Sequence, residues 1–318
     1  MNILVTGGSG FIGSNFIRYM LEKYPNYSIF NLDKLTYAGN PDNLNDIENN
    51  SHYSFIQGDI CDKKIVEKAM QNVDYVVHFA AESHVDRSIE DGFTFVNTNI
   101  LGTYTLLEHA LNFNIKGFIH ISTDEVYGSI MEGSFRETDR LTPSSPYSSS
   151  KAGSDLLVYS YYLTHKLPII ITRCTNNFGP YQHPEKLIPL FITNLLQNRN
   201  IPVYGTGTNV RDWIYVLDHC KAVDFVLHNG KTGEIYNIGS SIEKSNIEIT
   251  KRILENIGAE ESMIEYVKDR PGHDFRYSLD CTKLKQLGWG PEYNFDEALR
   301  HTVQWYVENR WWWEKLKN

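Results

Sequence analysis

The chain has no run of about 18 apolar residues, which excludes a membrane-spanning helix as its organising feature. It also lacks a Lys/Arg-rich run. With 30 basic and 39 acidic residues the formal charge is -9, and a nucleic-acid surface, which needs a basic face, is excluded as its main role. Any anionic ligand has to meet local cations. The four cysteines, Cys61, Cys174, Cys220 and Cys281, form no C-x-x-C pair, so neither a metal knuckle nor a disulfide framework is expected. Low-complexity tracts and internal repeats are missing as well, and nothing ahead of the first strand reads as a signal peptide. A cytoplasmic enzyme is the expectation.

What is present is enough chain for a large core: 318 residues, 41% hydrophobic and 22% charged. That length is twice the ~150-residue prior for one domain, so two cooperating lobes are expected.

Ile3, Leu4 and Val5 make a short apolar run that leads directly into Gly7-Gly8-Ser9-Gly10-Phe11-Ile12-Gly13 and then an amphipathic stretch over 14–23. Strand, turn and helix follow in that order. The glycines let the backbone approach a pyrophosphate, whose charge is favoured by the free N–H groups and the dipole at the helix start. A second strand, 28–32, ends at Asp33, twenty residues after Gly13. A carboxylate there accepts from both ribose hydroxyls and repels a 2′-phosphate, so the expected cofactor is NAD in preference to NADP, with Lys34 beside it weakening that preference slightly.

Further apolar runs at 53–57, 75–79, 118–121 and 169–172, separated by helical stretches, imply an α/β chain with a Rossmann-type, doubly wound parallel sheet. Ligands of such sheets sit beyond the carboxyl ends of the strands. Asp59-Ile60, Ala80-Ala81-Glu82-Ser83 and Ser122-Thr123-Asp124-Glu125 fall there and should line the site.

Tyr147 and Lys151 form a Y-x-x-x-K pair at the start of a helix that follows Pro143 and Pro146. A spacing of four puts both on one face. An ammonium close to a phenol favours the phenolate, so the Tyr147 pKa is expected to fall toward neutrality and make it a base for a hydroxyl proton.

The turn at 7–13, the Tyr147-x-x-x-Lys151 pair and residues 122–128 together resemble the extended short-chain dehydrogenase/reductase family, over the whole chain. Six ordered blocks are similar to its dTDP-glucose 4,6-dehydratase branch: A-A-E-S-H-V-D-R-S at 80–88, S-T-D-E-V-Y-G at 122–128, N-N-F-G-P-Y at 176–181, P-E-K-L-I-P at 184–189, R-D-W at 211–213 and D-R-P-G-H-D at 269–274. The resemblance implies that Tyr147, helped by Thr123 and Lys151, takes the C4 hydroxyl proton of a nucleotide-linked glucose while hydride passes to NAD. Glu125 then takes the C5 proton and Asp124 protonates the leaving C6 hydroxyl, before hydride returns to C6. Two adjacent carboxyls with opposite roles need different environments, so Asp124 is expected to have a raised pKa and Glu125 to be ionised. Sister enzymes that epimerise at C4 carry small or hydroxylated residues in place of the acid pair.

The same resemblance places Gly7, Gly10, Phe11, Ile12, Gly13, Asp33, Lys34, Leu35, Thr36, Asp59, Ile60, Phe79, Ala80, Ala81, Ser83, Thr98, Tyr147, Lys151 and Asn177 around NAD. It places Asn176, Lys186, Leu187, Arg211, Asn246, Arg270 and His273 on the sugar nucleotide, Pro202 and Tyr204 beside the base, and Ser83 and Thr123 near the hexose. No metal is expected, since neither His84 nor His273 has a second ligand at helical or hairpin spacing. Strict strand–helix alternation fades after residue 176, so 1–176 is expected to be the NAD-binding domain and 177–318 mainly the nucleotide-sugar lobe, with the chain free to cross between them. Helical stretches over 93–113 and 147–165 carry apolar residues beyond one stripe, including Tyr159, Tyr161 and Tyr162. The family resemblance assigns them to a homodimer contact. The end of the chain, with Trp305, Tyr306 and Trp311 to Trp313, is expected to pack into the core. Rival expectations are a UDP-glucose 4,6-dehydratase, a nucleotide-sugar 4-epimerase and, outside enzymes, a dinucleotide-sensing regulator.

Overall fold

The structure is a computed structural model and describes residues 1–269 and 274–317. Its organising element is a seven-stranded sheet built from β1 (Asn2–Thr6), β2 (Ser28–Asp33), β3 (Tyr53–Gln57), β4 (Tyr75–His78), β5 (Gly117–Thr123), β6 (Ile169–Cys174) and, much later, Ile235–Ile238. All neighbouring pairs are parallel. Helices cover both faces, so the inner strands β1 and β4 are buried on both sides and read as continuous apolar runs, while the edge strand β3 is largely exposed. Ile3 and Val5 of β1 enter one hydrophobic cluster and Leu4 the other; Val77 and Val76 of β4 divide the same way. This is the Rossmann-type doubly wound sheet that the strand–helix alternation implies.

The strand order places β1 in the middle, with β2 and β3 on one side and β4, β5 and β6 on the other. The chain therefore reverses direction of travel between β1 and β4, and the loops diverge there to leave a crevice at the carboxyl ends.

Beyond β6 the chain forms β7 (Asn176–Phe178), β8 (Ile201–Tyr204), β9 (Val210–Tyr215), β10 (Ile235–Ile238), β11 (Glu243–Ser245) and β12 (Ile264–Val267). Strands β7, β9 and β11 make a small mixed sheet and β8 pairs with β12. Two elements after residue 176 return to the first sheet. Strand β10 pairs with β6, and helix Val216–Asn229 packs on helix Phe11–Lys23. One hydrophobic cluster consequently runs from Ile3 through Val223 to Trp313.

The helical stretch expected over 93–113 is divided. A short helix Gly92–Phe95 runs through a wider π-helical segment, Val96–Gly102, into helix Thr103–Asn112. In the π segment Asn99 is buried with its amide spent on tertiary partners: it accepts from the Glu82 N–H (2.9 Å) and donates to the Glu82 carbonyl (3.1 Å) and to Ser150 Oγ (2.8 Å). This ties the loop after β4 to helix Pro146–His165. Among the described residues no helix is long and apolar enough to cross a membrane, no His/Cys/Asp/Glu cluster is set for a metal, and all four cysteines are free.

Candidate active site

A single cleft at the carboxyl ends of the sheet runs from Gly7 to Lys186. Its floor begins at the glycine turn. Gly7 has φ +70, and a Cβ there would lie 2.6 Å from the Ala80 backbone, while one at Gly13 would lie 2.3 Å from the Gly7 carbonyl oxygen. Only hydrogen fits at either position. Helix Phe11–Lys23 starts at Gly10 without a side-chain cap and without an acid in its first turn, leaving its N–H groups and dipole available to an anion. Asp33 closes this end. It is buried and accepts from the N–H groups of Ser9 (2.9 Å) and Leu35 (2.8 Å). Burial raises its pKa, and the two backbone donors oppose that. Lys34 forms an ion pair with Asp59 at 2.8 Å, so its charge is turned on a neighbour.

The chemistry-bearing groups sit at the far end. Strand β5 delivers Thr123 to the start of a 3₁₀ turn, Asp124–Tyr127. The Thr123 hydroxyl accepts from the Glu125 N–H (3.3 Å) and donates to Asp124 Oδ1 (3.1 Å). Facing it, helix Pro146–His165 opens with Pro146 in its first turn and a reciprocal Ser145–Ser148 capping box. Tyr147 and Lys151 lie one turn apart on its buried side. The Lys151 ammonium donates to the Ile121 carbonyl at 2.7 Å.

The environments of these groups differ sharply. Burial, followed by the charge of Glu125, holds the Asp124 carboxyl well above the usual carboxylate range. Burial lowers Lys151 to about 8, with Asp155 resisting the fall. The Tyr147 expectation is corrected. Its pKa lies well above the phenolic range, raised first by burial and then by Glu125, while a hydrogen bond with Thr123 pulls it down. Desolvation and two carboxyl groups on this side outweigh the lysine, whose ammonium is directed at a carbonyl.

Beneath the site lies a buried polar network that the sequence did not disclose. Asp155, one turn beyond Lys151, accepts from Arg173 Nε at 2.9 Å, and His120 Nε2 is 3.3 Å away. Arg173 also donates to Tyr127 Oη (2.7 Å), which donates to Asn237 of β10 (2.9 Å). Burial works against ionising Asp155, but His120 and Arg173 together bring its pKa down to about 2. Burial lowers His120 to about 4.

Of the residues expected around NAD, all but Leu35 line this cleft, and Leu35 is joined to it through Asp33. Of the residues expected on the sugar nucleotide or near the hexose, Ser83, Thr123, Asn176 and Lys186 line it too, with Lys186 Nζ 3.1 Å from the Ser83 carbonyl. Leu187, Pro202, Tyr204, Arg211 and Asn246 are not part of its wall. Leu187 opens helix Leu187–Leu196, Pro202 and Tyr204 lie on β8, and Asn246 opens helix Asn246–Ile257. Arg211 is buried on β9, donates to the carbonyls of Val210 and Asp274, stacks 4.4 Å over the Tyr277 ring, and its charge reaches Asp124. Arg270 and His273 lie outside the described residues. Cys174, Thr175, Gln182, His183 and Glu185 also line the cleft. The strand-end rule applied to the run at 169–172 would have found the first two.

A family model described as GDP-mannose 4,6 dehydratase matches residues 4–302. The chain belongs to that family. Its relatives include the low-salt glycan biosynthesis protein Agl12 of Haloferax volcanii, 54% identical over 96% of this chain and 99% of that one. The dTDP-glucose 4,6-dehydratase of Streptomyces niveus is 51% identical over 100% of this chain and 96% of its own. Among solved structures, the dTDP-glucose 4,6-dehydratase DesIV of Streptomyces venezuelae, with NAD and dTDP bound, superposes with a TM-score of 0.98 at 50% identity, covering 99% of this chain and 100% of that one. This dehydratase-family chain therefore matches its relatives along its length and in its cleft-bearing fold.

Proposed function

We propose that this chain is an NAD-dependent dTDP-glucose 4,6-dehydratase, a lyase that removes one water from its sugar nucleotide. The carrying observation is the pair Asp124 and Glu125, set in one cleft with Tyr147 and Lys151 and differing in burial. The relatives at about 50% identity that act on dTDP-glucose, and the NAD held by one of them, support the reading. The cleft suits NAD: a glycine turn that admits no Cβ, an uncapped helix start and a buried carboxylate at the ribose position.

Gly7, Gly10 and Gly13 bring backbone to the pyrophosphate, and Asp33 takes the ribose hydroxyls. When bound, NAD supplies a hydride acceptor and donor and, while oxidised, a positive charge that opposes Glu125 in its effect on the Tyr147 phenol. Tyr147 then removes the C4 hydroxyl proton, with Thr123 as hydrogen-bond partner and Lys151 as nearby charge. The resulting 4-ketone acidifies C5. Glu125 takes the C5 proton, and Asp124, whose protonated form burial favours, gives its proton to the C6 oxygen as the C–O bond breaks, so water departs. Hydride return to C6 and proton return from Glu125 to C5 complete the 4-keto-6-deoxy sugar and restore the dinucleotide. Lys186 and Arg211 offer positive charge on the substrate side in a protein that is acidic overall.

A C4 epimerase on the same fold has no use for an acid that stays protonated beside a base, which disfavours that reading. We assign the dinucleotide to the main sheet with 1–176 supplying most contacts, the sugar nucleotide mainly to 177–318, and the enzyme to the cytoplasm. A homodimer fits the exposed apolar residues Ile89, Phe93, Val96, Leu101, Leu156 and Leu163 on neighbouring helices. Assaying dTDP-glucose, UDP-glucose and GDP-mannose side by side tests the assignment. Turnover of dTDP-glucose well above the other two is expected, and preference for either rival overturns it.

A further inference from the structure

The tryptophans near the chain's end do more than fill the core. Trp312 is 1% exposed and its ring packs against Trp305, with centroids 5.1 Å apart, and against Tyr181 at 5.8 Å. Its indole N–H, however, leaves this apolar cluster and donates to Asn43 Oδ1 at 2.7 Å. An indole N–H can only donate, so the orientation of the Asn43 amide is fixed. Its NH₂ then donates to the Ser9 carbonyl at 2.9 Å, which also accepts from the Asn40 N–H at 3.0 Å. Ser9 in turn donates its own N–H to Asp33 Oδ2 at 2.9 Å. Trp312, Asn43 and Ser9 are all buried.

Three hydrogen bonds thus run in one direction from the last helices to the ribose-binding carboxylate, and Ser9 is the middle of the glycine turn. Both peptide planes flanking Ser9 are pinned, one by Asp33 and the other by Asn43 and Asn40. The same terminal segment grips the other wall of the cleft, where the Tyr306 hydroxyl donates to the carbonyl of Gln182. Lys315 pairs with Asp42, which strengthens the hold on the segment that carries Asn43.

We propose that Trp312 is a positioning residue for the dinucleotide: through Asn43 and Ser9 it holds the glycine turn and Asp33 in their binding geometry. It touches no reacting atom. This rests on reading the glycine-turn cleft as the NAD site. With the relay intact the turn is ordered before the cofactor arrives, so binding does not have to order it. Without the indole N–H, the Asn43 amide is free to rotate, Ser9 loses a partner, and the turn samples arrangements in which its N–H groups do not converge.

The test measures NAD dissociation constants by calorimetry, after removal of carried-over cofactor, on the parent and on Trp312→Phe, Asn43→Asp and the double variant. Trp311→Phe is the control, since Trp311 is exposed, its indole N–H donates to Asn309, and the Lys315 ammonium over its ring, 5.4 Å from the centroid, keeps an aromatic face in the variant. Trp312→Phe is expected to weaken NAD about three- to tenfold, the effect of one lost hydrogen bond expressed in the free protein's order, while the KM for the nucleotide sugar at saturating NAD stays within about twofold. Asn43→Asp places a carboxylate against the Ser9 carbonyl and should weaken NAD at least as much. Because one relay carries both effects, the double variant should be no worse than Asn43→Asp. Lower thermal stability with unchanged NAD affinity in Trp312→Phe overturns the proposal, as do independent, multiplying effects in the double variant. A parent that binds no NAD overturns the functional reading as well, so the two failures are told apart.

Discussion

The Thr123 hydroxyl donates to Asp124 Oδ1 at 3.1 Å, which leaves Oδ2, buried and without a hydrogen bond, as the oxygen able to carry and deliver a proton. Glu125, next in sequence, is only half-buried. Two neighbouring carboxyls are thereby given different surroundings within one 3₁₀ turn. Removing either should stop the reaction at a different place from removing Tyr147. Glu125→Gln is expected to let reduced nicotinamide build up in its near-ultraviolet band while water loss slows by about 10²- to 10⁴-fold. Tyr147→Phe is expected to give no such band. Stopped-flow absorbance checks this, and equal behaviour of the two variants would reverse the roles assigned.

Buried neutral histidines make the protein sensitive to acid. Burial holds His120 at about 4 and His219, bonded to Asn177 at 2.9 Å, at about 3. Both lie below the unfolded value of about 6.5, so between these limits the unfolded chain binds the protons and stability falls as pH falls. Their share of the change at pH 5 is a loss of about 2 kcal/mol for each, opposed by Asp124, whose raised pKa makes the folded chain the better proton binder there. Urea unfolding at pH 7.5 and pH 5 of the parent and of His219→Gln isolates one share; the same change with pH in both proteins contradicts the burial account.

On the proposed reading Asp33 governs cofactor choice. Asp33→Ala removes the ribose acceptor and the charge that repels a 2′-phosphate, and it also frees the Ser9 N–H. NAD should bind about tenfold more weakly or worse, and the preference over NADP should narrow. Fluorescence titration with both dinucleotides gives the ratio. An unchanged ratio would mean that selectivity resides elsewhere.

The homodimer assignment is tested by light scattering. The parent should run as a dimer at micromolar concentration, and Leu156→Glu, which charges an exposed apolar position, should shift it toward monomer. A monomeric parent contradicts the assignment.

How much of this was readable from residues alone depended on the range of the interactions involved. The glycine turn and Asp33 were legible because spacing along one strand–turn–helix unit sets their geometry. Tyr147 and Lys151 were legible because a helix fixes a four-residue separation. Strand β10 was not, since four residues joining a sheet some sixty positions later leave no local pattern. Nor was the Arg173–Asp155–His120 network, whose members meet across two strands and a helix. The Tyr147 expectation failed for a related reason: the four-residue spacing reported the lysine, whereas the desolvation that outweighs it belongs to the folded surroundings. Trp312 was visible as an aromatic residue destined for the core, but its bond to Asn43 joins positions 269 residues apart.

The central claim is loss of water without consumption of cofactor. Mass spectrometry of the product from dTDP-glucose, with the protein as isolated and no dinucleotide added beyond a catalytic amount, measures it directly. The account predicts a sugar nucleotide lighter by one water, formed in many turnovers per NAD. A product of unchanged mass, or one equivalent of reduced dinucleotide per product, would contradict it.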